Sequence, residues 1–214
     1  MKGMTDLILA ALLLSNLALA GTSRLANAIA WVAFQGALVG LLPLFSHSGV
    51  TPRTVALAVL VVGLKAVVYP RLLRHAMRDA EIRREVEPFV GYGLSLLLVV
   101  ALMAISFWLG AALPLPPGRE AGWLVLPGAI GTILMGLFLT ITRRKAVTQA
   151  LGYLVIENGI AAFGLALVPE IPLLVELGIL LDVFFAVLVM AIVLYHIHRE
   201  FDHLDADRLS VLRG

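Results

Sequence analysis

Leu151–Met190 reads LGYLVIENGIAAFGLALVPEIPLLVELGILLDVFFAVLVM. Two hydrophobic runs of membrane-spanning length meet at the turn Val168-Pro169-Glu170-Ile171-Pro172, and each carries an acid near its middle. Glu157 stands halfway along the first run and Asp182 halfway along the second. A charged side chain at the centre of a bilayer costs about 2.5–3.5 kcal/mol on insertion scales. A chain this apolar has many cheaper choices at those positions. The two carboxylates are therefore read as the working part, and the remaining spans as what holds them at depth.

The composition agrees. The chain has 214 residues, of which 61% are hydrophobic, and its mean hydropathy is +1.00. Soluble domains are only about 45–50% apolar. Several runs reach the roughly 18 apolar residues that mark a transmembrane helix, so the expected fold is all-α and polytopic. At about 25–30 residues per span and loop, there is room for about seven helices and no sizeable soluble domain. The absence of cysteine excludes disulfides, cysteine-ligated iron–sulfur clusters and thiolate metal sites. No basic run reads as a nucleic-acid footprint, because the cations sit in short loops.

The expected spans are Thr5–Ala20, Leu25–Phe45, Thr54–Leu73, Phe89–Leu113, Gly122–Thr142, Ala146–Leu167 and Leu173–Tyr195. The first ends in Ala18-Leu19-Ala20-Gly21, which has the look of a signal-peptidase site. Asp6 weakens a basic leader, and a second long apolar run follows at once, so the span is read as a retained anchor. Asn27 and Gln35 lie inside the second span, Lys65 near the centre of the third, and Pro70 near its end, where it is expected to kink the helix. Arg71–Glu87 is expected to form a short amphipathic helix on the membrane surface. Gly128, Gly131 and Gly136 thin the fifth span and permit close packing.

Orientation follows from the cations. With seven spans, Arg24, the five arginines of 71–84, Arg143, Arg144, Lys145, Arg199, Arg208 and Arg213 fall on one side. Lys2, Arg53 and Arg119 fall on the other. This places the C-terminus in the cytoplasm and the N-terminus outside.

Lys65, Glu157 and Asp182 are each central in their own span and so share a depth. Glu176 precedes Asp182 by six residues, which puts it about 9 Å nearer the outer surface and turns it by about 600°. Burial disfavours a charged form and a nearby opposite charge restores it. A carboxylate–lysine set at the midplane can then exchange protons, and with internal water it forms a relay. Gln149, Tyr153, Asn158 and Thr140 are candidates for hydrogen bonds along such a path. Gly152 and Gly159 lie one heptad apart, flank Glu157, and let another helix approach. The competing reading is structural, with either acid paired to Lys65 or to a neighbouring subunit and never titrating. His196 and His198 are two apart and point to different sides, so they make no membrane haem pair. His47, His75 and His203 are in polar segments and are expected to have ordinary surface or interface roles. No nucleophile–base arrangement, phosphate loop or metal cluster is visible, and neither a catalytic residue nor a cofactor is expected.

These residues carry a resemblance. Gly152-Tyr153-x-x-x-Glu157-Asn158-Gly159 is followed by Glu176-x-Gly178-Ile179-x-x-Asp182-x-x-Phe185-Ala186-Val187-x-Val189-Met190. The tail then reads Leu204-Asp205 … Leu209-x-x-Leu212-Arg213-Gly214. Together they resemble component E of hydrogenase-4-type membrane-bound hydrogenases, most strongly from about Thr142 onward. The last three spans are also similar to the small K-type subunit of respiratory complex I. That family's first acid would fall at Leu154 rather than Glu157, about 4.5 Å away in depth.

The resemblance implies two regions: a four-helix region over 1–113, with a cytoplasmic linker at 71–87, and a K-subunit-like three-helix region with a polar tail over 114–214. It implies a non-catalytic multi-pass subunit in the inner membrane of a prokaryote, part of a hetero-oligomeric oxidoreductase complex of the nickel–iron hydrogenase type. Such a subunit joins the redox module to antiporter-like membrane subunits. Its proton or ion path would run through Glu157, Asp182, Lys65 and Glu176. Gln149, Gly152, Tyr153, Asn158 and Gly159 would support that path. The alternatives are a purely structural assembly subunit, a membrane subunit of a cation/proton antiporter, or a stand-alone secondary transporter. Against the last, the sequence shows no inverted repeat and no pair of broken helices.

Overall fold

The computed structural model describes residues 2–45, 50–79, 91–113, 123–143 and 146–167, together with Gly178. Helices α1 (Lys2–Ala20) and α2 (Leu25–Leu41) are joined by a tight connection, and α2 is extended by a 3₁₀ turn, Leu42–Phe45. Helix α3 (Pro52–Val62) passes through a π turn (Gly63–Val68) into α4 (Tyr69–Asp79) without a break. Helices α5 (Tyr92–Ala112), α6 (Val125–Thr142) and α7 (Ala146–Leu167) follow. Among the described residues, five segments are long and apolar enough to cross a membrane: Gly3–Ala20, Leu25–Phe45, Pro52–His75, Gly93–Ala112 and Val125–Thr142. They coincide with the first five expected spans. The sixth expected span falls on α7, a helix of 22 residues that is not among these five. The seventh, Leu173–Tyr195, lies outside the described residues, and so does the polar tail.

Local chemistry sets the helix ends. Thr51 caps α3: its hydroxyl accepts from Thr54 N at 3.2 Å, and Thr54 Oγ1 accepts from Thr51 N at 2.8 Å. Pro52 occupies the first turn, where its missing N–H costs nothing. Where a kink at Pro70 was expected, helical structure continues through it. The adjustment lies just upstream, in the π turn, whose wider ring lets Tyr69 N–H donate to Leu64 O five residues back. Residues 71–79 of the expected surface helix are the direct continuation of the third span, and residues 80–90 lie outside the described set.

Helices α6 and α7 pack backbone to backbone. A Cβ built on Gly136 would stand 2.5 Å from Ile156 N, one on Gly152 would stand 2.8 Å from Thr140 N, and one on Gly159 would stand 2.7 Å from Ile133 N. In hydrocarbon, where apolar surface gains nothing by leaving lipid, such close approach is what holds helices together. Gly152→Ala is therefore expected to destabilise by about 1–3 kcal/mol, although alanine ordinarily favours a helix over glycine by about 1 kcal/mol. Gly93→Ala, with open space around it, should keep the ordinary sign. The thermal midpoints of the two purified variants check this; equal midpoints would mean that α6 and α7 do not touch at Gly152.

Packing divides the molecule into strata. One apolar cluster takes Leu19, Ala20, Leu25, Ile29 and Val32 from α1 and α2, with Met135, Leu139, Leu151 and Val155 from α6 and α7. A second takes Leu9, Leu12, Val39 and Leu42 from α1, α2 and the 3₁₀ turn, with Leu126, Ala129 and Ala162 from α6 and α7. Between the two clusters each of these helices carries buried polar residues: Ser15 and Asn16 in α1, Gln35 in α2, Thr132 in α6, and Glu157 and Asn158 in α7. Helix α5 buries only a stripe that includes Ser95, Val99 and Ser106, and it presents Leu94, Leu97, Val100 and Trp108 outward. Such a surface suits lipid or another membrane chain.

Candidate functional site

The polar stratum holds a buried ion pair. Lys65 Nζ lies 3.1 Å from Glu157 Oε1, and the two side chains are 5% and 4% exposed. The same ammonium donates to Asn158 Oδ1 at 3.1 Å, so α7 offers it two consecutive oxygens. Three local features bring Lys65 there. The π turn, a device common at functional sites, carries it in the middle of the third span. Helix α2 packs against both the π turn and α7. Gly36 clears the way past α2, since a Cβ at that position would stand 2.5 Å from Lys65 Cβ.

A second, uncharged network shares the stratum. Gln35 Nε2 donates to Ser15 Oγ at 3.0 Å and to Asn16 Oδ1 at 2.8 Å. Asn16 Nδ2 donates to Thr132 Oγ1 at 3.0 Å. Thr132 in turn donates to Gly128 O at 2.7 Å, and Ser15 to Leu12 O at 2.6 Å. Helices α1, α2 and α6 are thus tied by amide and hydroxyl groups where no bulk water competes. Two buried oxygens in the stratum have no hydrogen-bond partner among the described residues: Glu157 Oε2 and Gln35 Oε1.

The other candidates divide. Asp182 and Glu176 lie outside the described residues. Gly152 and Gly159 form the seam with α6. Thr140 faces Gly152 and donates to Gly136 O at 2.9 Å, so its hydroxyl serves its own helix. Gln149 is eight residues, about 12 Å, before Glu157, and its Nε2 donates to Arg143 O at 3.1 Å. It is not brought to the ion pair. Tyr153 packs against the first apolar cluster. Arg143, counted above with the loop cations, is 1% exposed at the end of α6. Sequence reasoning missed Ser15, Asn16, Thr132 and Gly36. The available signal was the adjacent Ser15-Asn16 in mid-span, facing a mid-span Gln35.

Among the described residues no group of histidines and acids is placed to hold a metal ion. What the arrangement brings together is a buried ammonium–carboxylate pair with hydroxyls and amides alongside.

Fold and site together define a helical membrane protein with a buried charge pair in a polar middle layer. The chain belongs to the same family as the uncharacterized protein Rv0085 of Mycobacterium tuberculosis, to which it is 34% identical over 213 residues, covering 98% of this chain and 96% of that one. It is also a distant homologue of hydrogenase-4 component E of Escherichia coli, 28% identical over 152 residues, covering 70% of this chain and 69% of the relative. The component E of Shigella flexneri matches to the same extent. No family model matches the chain, and no solved structure does.

Proposed function

We propose that this chain is a non-catalytic membrane subunit of a hydrogenase-4-like, complex-I-related redox complex, and that Lys65 and Glu157 form part of its proton or ion path. The observation that carries the reading is the buried Lys65–Glu157 pair at 3.1 Å, in a chain homologous to hydrogenase-4 component E. Asp182, in the next expected span, continues the path, and Glu176 lies on its outer side. The redox chemistry, with nickel–iron and iron–sulfur centres, belongs to other chains, and a chain without cysteine suits that division of labour. The subunit joins the redox module to antiporter-like subunits in the inner membrane, with the N-terminus outside and the C-terminus in the cytoplasm. The bare apolar faces of α3 and α5 are surfaces such neighbours can cover.

The same 3.1 Å contact favours a second reading, in which the pair only fixes α7 against the third span and the chain is an assembly subunit. Glu157 Oε2, buried and unmatched, favours the first, because a group that hands on a proton needs a face not already committed. The complex itself is tested by extracting the protein from native membranes in mild detergent and identifying what accompanies it by mass spectrometry. A nickel–iron hydrogenase large subunit with antiporter-like chains is expected. Antiporter-like chains alone would keep the path and move it to another machine; no partner at all would overturn the proposal.

A further inference from the structure

The unmatched Gln35 carbonyl points beyond the ion pair. Gln35 is fully buried, its amide nitrogen is committed to α1, and its Oε1 has no partner among the described residues. A buried acceptor left without a donor costs about 1–3 kcal/mol, and such groups in folded proteins are nearly always met by protein or by ordered water. The surroundings suit water. Nε2 of the same amide meets Ser15 Oγ and Asn16 Oδ1, and Asn16 meets Thr132 Oγ1, so the carbonyl belongs to a cluster of polar groups. A buried water needs about 2–4 polar partners, and a polar cluster of this kind is where such partners are found.

The position gives the water a use. Gly159 of α7 rests on Ala129 and Ile133 of α6, which bracket Thr132. The Gln35–Asn16–Thr132 network is thus level with Glu157 and Asn158, between the same two apolar clusters. The second unmatched oxygen of this layer is Glu157 Oε2. Each of these acceptors, buried without a donor among the described residues, calls for a molecule that donates to it, and water has two hydrogens to give.

We propose that Gln35 Oε1 anchors a buried water site that extends the Lys65–Glu157 layer toward α1, giving Glu157 a second, uncharged branch through Thr132 and Ser15. The water stands on the geometry alone; its service as a branch of the ion path rests on the function proposed above.

The test uses the full chain purified with its native partners. An experimental structure that shows ordered solvent should place a water at about 2.7–3.2 Å from Gln35 Oε1, and that density should vanish in Gln35→Met. An empty wild-type carbonyl overturns the site. Ion translocation is measured in parallel in vesicles, normalised to assembled complex. Gln35→Met should slow it about tenfold, the equivalent of one lost hydrogen bond, and Gln35→Glu should retain it. If Gln35→Met fails to assemble, Ser15→Ala, which removes one acceptor from the Gln35 amide, should slow it in the same direction but less. Wild-type translocation in Gln35→Met, alongside loss in Glu157→Gln, overturns the branch and leaves the ion path standing. Wild-type translocation in Glu157→Gln overturns the path and the branch together, with the water density still judged separately.

Discussion

Lys65→Met and Glu157→Met should each destabilise the protein by about 3–5 kcal/mol, while the double variant should unfold close to the wild type or above it. The reasoning starts from burial. Both side chains of the pair are almost wholly removed from the surface, and Glu157 Oε2 has no hydrogen bond among the described residues. Removing Lys65 takes from the carboxylate the ammonium that lies 3.1 Å from it. Removing Glu157 leaves an ammonium whose recorded acceptor is Asn158 Oδ1. Each single variant therefore takes from one charge of the pair the opposite charge that neutralised it. The double variant removes both charges of the pair together, and two methionines fill comparable volume with neither charge to desolvate. Asymmetry between the singles is also expected. Lys65 keeps the Asn158 oxygen when Glu157 is gone, so Glu157→Met should be the milder change. Unfolding of the purified proteins, followed by the fluorescence of the chain's three tryptophans, gives the four midpoints of the cycle. Singles within about 0.5 kcal/mol of the wild type, the range of ordinary surface substitutions, would mean that the pair is solvated and that the polar layer is not closed.

The parts of this arrangement that were legible in sequence are those the bilayer makes expensive. A run of about 20 apolar residues has few soluble uses, so the spans could be read from composition and punctuation alone. Lys65 and Glu157 stood out for the same reason, because a mid-span charge is rare. That they meet was not legible, since it depends on register. The meeting needs Gly36 to clear the lysine stem and Gly136, Gly152 and Gly159 to bring α6 and α7 into contact. A glycine in a helical pattern does not announce which neighbour it admits. The π turn was invisible as well; Pro70 advertised a disturbance, and the chain met it upstream, in the turn that holds Lys65. Ser15 and Thr132 were silent because a hydroxyl in a helix can satisfy itself on its own backbone, as both do here. Only the fold shows that they also receive amide donors from other helices. The polar layer is thus a property of four helices at once, and no single span carries its signature.

Replacing the pair by two neutral amides, Lys65→Gln with Glu157→Gln, should leave the complex assembled and abolish ion translocation. This variant separates the two roles that any single substitution confounds. Glutamine at 157 keeps the length and planar shape of glutamate, and glutamine at 65 keeps a donor that can reach toward the new amide oxygen at 157 and toward Asn158. Neither carries a charge, so neither member of the pair is left facing a missing opposite charge, and the large penalty of breaking this pair does not arise. If the contact serves only to hold α7 against the third span, an amide–amide hydrogen bond worth about 0.5–1.5 kcal/mol is an adequate substitute, and translocation should continue. If Glu157 takes up and releases a proton, no amide can replace it. A positioned proton-transfer group contributes about 10²–10⁴ in rate, so flux should fall at least about a hundredfold. Three quantities decide between these outcomes in the same membranes: the amount of assembled complex, the electron-transfer activity of the complex uncoupled from ion movement, and the coupled flux into vesicles. Intact assembly and electron transfer with lost flux places Glu157 on the path. Undiminished flux removes it from the path and makes the Lys65–Glu157 pair a structural tie. Loss of assembly in the neutral double variant, although both charges of the pair are removed together, would show that the charges themselves recognise a neighbouring subunit, and the exposed faces of α3 and α5 would then be where to look for it.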